Sequence, residues 1–459
     1  MASSLNERNP VPKNDRRITT GWVLYDWANS VYPLVITSTV FPIYFNSQAD
    51  VAAVAQDASG RPIVEFFGYP ILASSLLIYA ISIAFLIVAA VSPLLTALSD
   101  YSGQKKRFMK FFCYLGAFSC AGLYFFTAQS LSLAVLLYIL ATIGFAGSIV
   151  FYNSYLPDIA SEDQVDALSA KGFSFGYVGS ALLLVVCLGL VFLIDPDLAS
   201  RLSFLMTGLW WGGFALIPFS RLPADVGRTG PERPAATGGY LLNGYRQLGL
   251  IATQLKDHPV LQQFLVSYFF TCMGVQTVMY VATPFAEETL GMGQEALITT
   301  ILILQILGVV GAQMFSKFSR ATGNIRALSA AVVVWTGVCA GGYFVQAGLS
   351  FYILACCIGF AMGGVQSLSR STYAKLIPEN TSNSASWFSF FDVTEKVGIV
   401  VGTASFSVIS QLTGSMRNSL LALMVFFIIG LAFLITLRGK TLRMRAATPP
   451  LPPILSGER

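Results

Sequence analysis

Runs of roughly twenty apolar residues, separated by short polar breaks, recur along nearly the whole chain. A helix of that length crosses the hydrocarbon core of a bilayer. In lipid, only helices and closed barrels satisfy their own backbone polar groups. The blocks fall at roughly 19–46, 70–97, 108–127, 131–154, 172–194, 202–219, 259–286, 296–316, 327–346, 350–373, 385–410 and 416–437. They predict an all-α polytopic membrane protein of twelve transmembrane helices. Composition agrees: 55% of the 459 residues are apolar and 11% are charged, against about 25% charged in an ordinary soluble domain. The apolar run after the polar first 17 residues is about 27 residues long, more than the 7–15 of a signal-peptide core. It reads as a retained helix.

Twelve spans put both termini on one side of the membrane, and the basic residues say which. With the N-terminus cytoplasmic, the inward segments hold 24 of the 28 Lys and Arg, among them Lys105, Lys106, Arg107, Arg320 and Arg326. The outward segments hold Arg61, Arg201 and Arg417, and Lys396 lies within a span. This asymmetry predicts cytoplasmic termini and a multi-pass protein of the inner, cytoplasmic membrane. The expected organisation is a cytoplasmic segment 1–18, a six-helix bundle 19–219, a central cytoplasmic loop 220–258, a second bundle 259–437 and a disordered tail 438–459. The loop reads as a Pro/Gly-rich linker up to Gly239, then an amphipathic surface helix from Tyr240 to Asp257.

An internal repeat divides the chain. Ser99, Gly103 and Lys106 match Ser319, Gly323 and Arg326 at an offset of 220, and Leu156-Pro-Asp158 echoes Ile377-Pro-Glu379. Two parallel six-helix halves follow, the plan of major facilitator transporters. The loop Thr96-Ala-Leu-Ser-Asp-Tyr-Ser-Gly-Gln-Lys-Lys-Arg107 resembles that superfamily's signature between helices 2 and 3, with Thr96, Tyr101 and Gln104 departing from it. Other runs occur in order: Tyr25-Asp-Trp-Ala-Asn-Ser30, Phe151-Tyr-Asn-Ser-Tyr-Leu-Pro-Asp158, Ser169-Ala-Lys-Gly172, Gly274-Val-Gln-Thr277, Gly363-Gly-Val-Gln-Ser-Leu-Ser-Arg370 and Phe390-Phe-Asp-Val-Thr-Glu-Lys396. Together they resemble the "unknown major facilitator" branch, bacterial permeases similar to fungal vacuolar amino-acid effluxers. The resemblance implies two pseudo-symmetric bundles, a cavity lined by helices 1, 4, 7 and 10, and a small-molecule substrate. It also implies conformational switching at Asp100, Gly103 and Lys106, with Arg320 and Gly323 at the repeated loop. Met273 stands where many relatives carry an acidic residue.

Polar residues inside the spans are the candidate pathway. Asp26 costs about 2.5–3.5 kcal/mol to insert at a helix centre. It shares one helical stripe with Asn29, Ser30, Pro33 and Thr37. It reads either as a pathway carboxylate, taking a proton or a substrate amine, or as a structural carboxylate tied to neighbouring helices, with Arg370 and Lys396 of the opposite half as candidate counter-charges. Gln366, Ser369, Arg370 and Tyr373 form a second stripe. There Arg370 either lines the inner gate, pairs with an anionic substrate group, or snorkels to the interface. Asp392 and Lys396 are spaced for an i, i+4 pair, which leaves Glu395 needing a partner or a proton. Asn153 and Gln276 read as substrate contacts or as helix-to-helix bonds. Pro33, Pro42 and Pro284 are expected to bend spans 1 and 7.

The expected function is secondary transport of a small polar metabolite by alternating access. Amino-acid efflux is suggested by the resemblance, with a co-transported proton or cation. The alternatives are a sugar or nucleoside permease, with stacking on Tyr25, Trp27, Tyr32, Tyr152, Tyr155 or Tyr280, and a non-transporting receptor. No His-Glu-x-x-His or nucleophile motif argues for an enzyme, and no Walker-type loop for ATP. No cofactor or metal is expected, the seven cysteines having no ligand spacing. No nucleic-acid motif accompanies the basic residues. The lipid bilayer is the expected surrounding, and a monomer the expected working unit.

Overall fold

The computed structural model describes residues 12–57, 60–223, 240–378 and 383–447. Residues 1–11, most of the linker up to Gly239, Glu379 of the second Pro echo and the tail from 448 lie outside them. A first helical path runs through α1 (Arg16–Asn29), a π-helical stretch (Tyr32–Val40) and α2 (Phe41–Val51). Strands β1 (Ala55–Gln56), β2 (Pro62–Phe66) and β3 (Tyr69–Leu72) follow, paired antiparallel in that order. The first half continues with α3 (Ala73–Ser102), α4 (Lys105–Gly122), α5 (Leu131–Ser154), the one-turn α6 (Leu156–Ile159), α7 (Glu162–Leu193), α8 (Pro196–Phe214) and α9 (Leu216–Arg221). A connecting helix, α10 (Tyr240–Asp257), leads into α11 (Pro259–Pro284), α12 (Gln294–Thr322), α13 (Asn324–Phe344), α14 (Leu349–Leu376), α15 (Ser384–Thr413) and α16 (Met416–Ala447).

Eleven helical segments among the described residues are long and apolar enough to span a membrane. The twelfth expected span is the broken path Arg16–Val51. Its break has a chemical cause: proline has no N–H to donate and crowds the preceding turn. Around Pro33 the helix widens to the π form. The hydroxyls of Ser38 and Thr39 donate to the carbonyls of Pro33 (2.9 Å) and Leu34 (2.8 Å). The second half repeats the device, α11 ending at Pro284 in a π-turn Phe285–Thr289. The regular stripe drawn from Asp26 to Thr37 therefore ends at Ser30, because the helix period changes at Tyr32.

Two differences from hydropathy matter for the site. Tyr69–Leu72, expected to begin span 2, forms strand β3 instead. Helix α7 starts at Glu162, ten residues before the expected span, and its 32 residues reach about 48 Å. The second turn of this polar start carries Asp166. Large apolar side chains such as Phe118, Leu209, Ile306 and Ile435 face outward, as a lipid surround requires.

Glycines set the close approaches within each half. A Cβ on Gly363 of α14 would land on the Gly308 carbonyl of α12, and one on Gly311 of α12 on the Phe360 carbonyl. Small residues at such crossings are how helices pack where lipid removes the hydrophobic drive. Between the halves, α7 lies against α12 and α14, and α15 against α3 and α5. Helix α10 packs on α3 of the first half and on α11 and α15 of the second. Its Ile251 is buried while Leu250 is exposed. Five of the cysteines are buried, Cys356 is half-buried, Cys357 is exposed, and all seven are free thiols.

Candidate functional site

Asp26 and Arg370 meet between the two halves. Both Arg370 Nη atoms lie 3.2 Å from Asp26 Oδ2, and the Tyr152 hydroxyl donates to the same oxygen at 2.7 Å. Asp26 is 4% and Arg370 3% exposed, so the arginine is buried rather than snorkelling. Its remaining donors are spent as well. Nε donates to Ser169 Oγ (3.0 Å), Nη2 to the Ser169 carbonyl (2.9 Å) and Nη1 to Asn153 Oδ1 (3.3 Å). The guanidinium sits over the rings of Trp22 (4.7 Å), Tyr152 (5.5 Å) and Phe173 (4.1 Å). A buried ion pair survives only when its spare hydrogen-bonding capacity is filled in this way. Gly172 permits the approach, since a Cβ there would strike the Asp26 carboxylate.

Three further carboxylates hold the halves together at the same end of the bundle. Asp100, near the end of α3, caps α15. Its Oδ2 accepts from the Ser386 N–H (2.7 Å) and hydroxyl (2.6 Å), and its Oδ1 from the Ala385 N–H (3.3 Å). A carboxylate there satisfies orphan amides and meets the positive end of the helix dipole. Asp166 of α7 accepts from Ser319 (2.7 Å) and Asn324 (2.7 Å), and pairs with Lys375 at 2.8 Å. Ser384 of α15 lies within 2.7 Å of Lys105 Nζ and 3.2 Å of Asp158 Oδ2, which themselves pair at 2.7 Å. Further along, Gln313 donates to Ser174 (2.8 Å) and Tyr177 to Gln366 (2.6 Å).

The candidate residues divide as follows. Asp26, Asn153, Arg370 and Gln366 are drawn into contacts between the halves. Asn29 is buried beside Ser30 (3.4 Å), its amide nitrogen without a partner. Asp392 and Lys396 form the i, i+4 pair at 2.7 Å. Glu395 lies 3.5 Å from Lys396 and accepts from Gln276 at 2.7 Å. That cluster belongs to the second half, and Lys396 is not a counter-charge for Asp26. One Asp392 oxygen is buried without a partner. Gly103 adopts φ +67° and Gly323 φ +92° at the two repeated loops. Lys106 donates to the Leu222 carbonyl at 2.8 Å, and Arg320 is exposed. Tyr25, Tyr32, Tyr152 and Tyr155 are buried in the packing of the first half, which leaves them no open cavity face for stacking.

Sequence reasoning missed Asp166, Ser169, Ser386 and Lys375. One signal was available: at the repeat offset of 220, Asp166 is the counterpart of Ser386, the residue that Asp100 grips.

Two six-helix halves, joined through buried charges, have the architecture of a transporter of the major facilitator type. Solved structures share this fold. The human organic anion transporter MFSD10 matches with TM-score 0.69 at 13% identity, over 91% of this chain and 99% of that one. The proton:xylose symporter XylE matches with TM-score 0.67 at 14% identity, over 92% and 95%. The chain belongs to the family described as vacuole effluxer Atg22 like, which matches residues 14–444. Among its relatives, the MFS-type transporter YxiO of Bacillus subtilis strain 168 is 31% identical, over 90% of this chain and 93% of that protein. Autophagy-related protein 22 of Coccidioides immitis is 25% identical, over 89% and 85%. The chain is thus a multi-pass membrane transporter and not an enzyme.

Proposed function

We propose that the protein moves a zwitterionic amino acid across the cell membrane by alternating access, its termini in the cytoplasm. The observation that carries this reading is the buried Asp26–Arg370 pair. A substrate with an ammonium and a carboxylate complements both members: its ammonium takes Asp26, and its carboxylate takes Arg370 in the bidentate geometry arginine favours. One ion pair between the halves is then exchanged for two to the substrate. Binding would thereby release the lock on that end of the pathway, which is what coupling substrate to gate opening requires. The rings of Trp22 and Phe173 against Arg370 supply an apolar wall for a side chain. The asymmetry of basic residues supports cytoplasmic termini.

Among the described residues, the carboxylates Asp392 and Glu395 share one ammonium, Lys396. That excess of negative charge in the second half supports a co-transported proton or cation there, apart from the substrate pair.

The test is a thermal-shift screen of purified protein against amino acids, sugars and nucleosides. Ligands that prefer the folded form raise the melting temperature by mass action. The reading expects amino acids with both charges free to stabilise, their N-acetyl and amide derivatives to fail, and Asp26→Asn and Arg370→Gln to erase the effect. A sugar or nucleoside response that survives both substitutions sinks it.

A further inference from the structure

We propose that a basic cleft at the helix ends binds the phosphate headgroup of an anionic lipid and links it to the gate. The cleft has a volume of about 330 Å³, within the range of small-ligand sites, about 300–1,000 Å³. Three cations line it: Arg326 at the start of α13, Lys375 near the end of α14, and Arg438 on α16. Among the described residues the one carboxylate lining it is Glu162, at the start of α7, and Asp166 pairs with Lys375 behind it, which leaves three cations against two carboxylates. The charge balance therefore favours an anion. Arg326 and Arg438 are both exposed at the surface.

Position and lining favour a lipid over a free ion. The cleft lies where α11 and α13 begin and α14 ends, and where the spanning part of α16 ends at Arg438. Helix ends of a membrane bundle sit at the level of the headgroups. Val260 and Leu376 add apolar lining beside the charges, as a group joined to acyl chains requires. Basic pockets between spanning helices are a recurrent form of headgroup recognition.

The link to the gate comes from shared residues. Lys375 and Asn324 line the cleft and also hold Asp166 of the opposite half, at 2.8 and 2.7 Å. A phosphate in the cleft competes with Asp166 for the same donors. An occupied cleft loosens this latch, and a loosened latch binds the headgroup more tightly, because linkage is reciprocal.

The experiment compares melting temperatures of the full chain in nanodiscs of phosphatidylcholine alone and with added phosphatidylglycerol. The expected result is a rise of roughly 2–4 °C with phosphatidylglycerol. It disappears in Arg326→Gln/Arg438→Gln and is kept in Arg326→Lys/Arg438→Lys. Should the double substitution fail to fold, Arg326→Gln alone is expected to reduce the rise. Asp166→Asn, which frees Lys375, is expected to enlarge it. Absence of the rise in the native chain, or its persistence in both Gln variants, overturns the site. An equal rise from inorganic phosphate in detergent, at matched ionic strength, overturns the lipid assignment. An unchanged rise in Asp166→Asn overturns the link to the gate. None of these readouts involves transport, so they stand or fall apart from the substrate reading.

Discussion

At the scale of the residue, the Asp26–Arg370 pair is a buried contact between the halves with every arginine donor engaged. Breaking one side of a buried pair leaves an uncompensated charge, at a cost of about 3–5 kcal/mol. Arg370→Gln is therefore expected to destabilise the gate-closed form more than Asp26→Asn/Arg370→Gln, in which neither charge remains. Melting curves of the two single variants and the double variant measure the coupling directly. A double variant as unstable as the sum of the singles would show that the pair has no coupling. Gly172→Ala tests the packing behind it, since the added methyl group meets the Asp26 carboxylate. It is expected to slow substrate exchange in proteoliposomes with the helix content unchanged. For the proposed proton or cation, Glu395→Gln is the informative change. Exchange of substrate across the membrane is expected to persist, while uphill transport driven by a pH gradient is lost. Equal loss of both would point to a structural Glu395.

At the scale of the element, helix termini are the working parts. Helix α15 begins at the boundary between the halves, and the groups on its first amides are the oxygens of Asp100. Losing such a cap costs about 0.5–2 kcal/mol. Asp100→Asn keeps the shape but removes the charge. It is expected to raise the population open at this end about fivefold, taking a loss of about 1 kcal/mol. Spin labels at the exposed Arg107 and Arg320 report it as a longer distance component, and an unchanged distance distribution would count against a gating role. Helix α7 does the matching work with Asp166, which lies in its polar first turns. Hydropathy alone hid that residue, because the start of α7 does not look like membrane.

At the scale of the whole molecule, the gate we propose is two latches around the Asp26–Arg370 pair, related by the internal repeat. Asp100 grips Ser386 on one side; Ser319 and Asn324 grip Asp166 on the other. They share no residue, so their contributions are expected to add. Asp100→Asn/Asp166→Asn should shift the label distances by the sum of the two single effects in free energy; clear non-additivity would show one latch instead of two. The repeat at offset 220 was legible, and so was the Asp392–Lys396 spacing, because both are local or periodic properties of the chain. The π-helical break in the first span was announced only as a bend at Pro33, since propensity does not tell how freed carbonyls are satisfied. The strands at 55–72 went unseen because they are short and lie beside a long apolar run. The repeated crossing of the membrane and the uneven charge of its two sides followed from sequence by itself, because each helix must solve the bilayer problem within its own residues. That Asp26 would take Arg370, 344 residues away, and not Lys396, was decided only by the tertiary structure. Partner choice across the halves depends on how far each helix is rotated and how closely glycines such as Gly172 let them approach, and no single span encodes either.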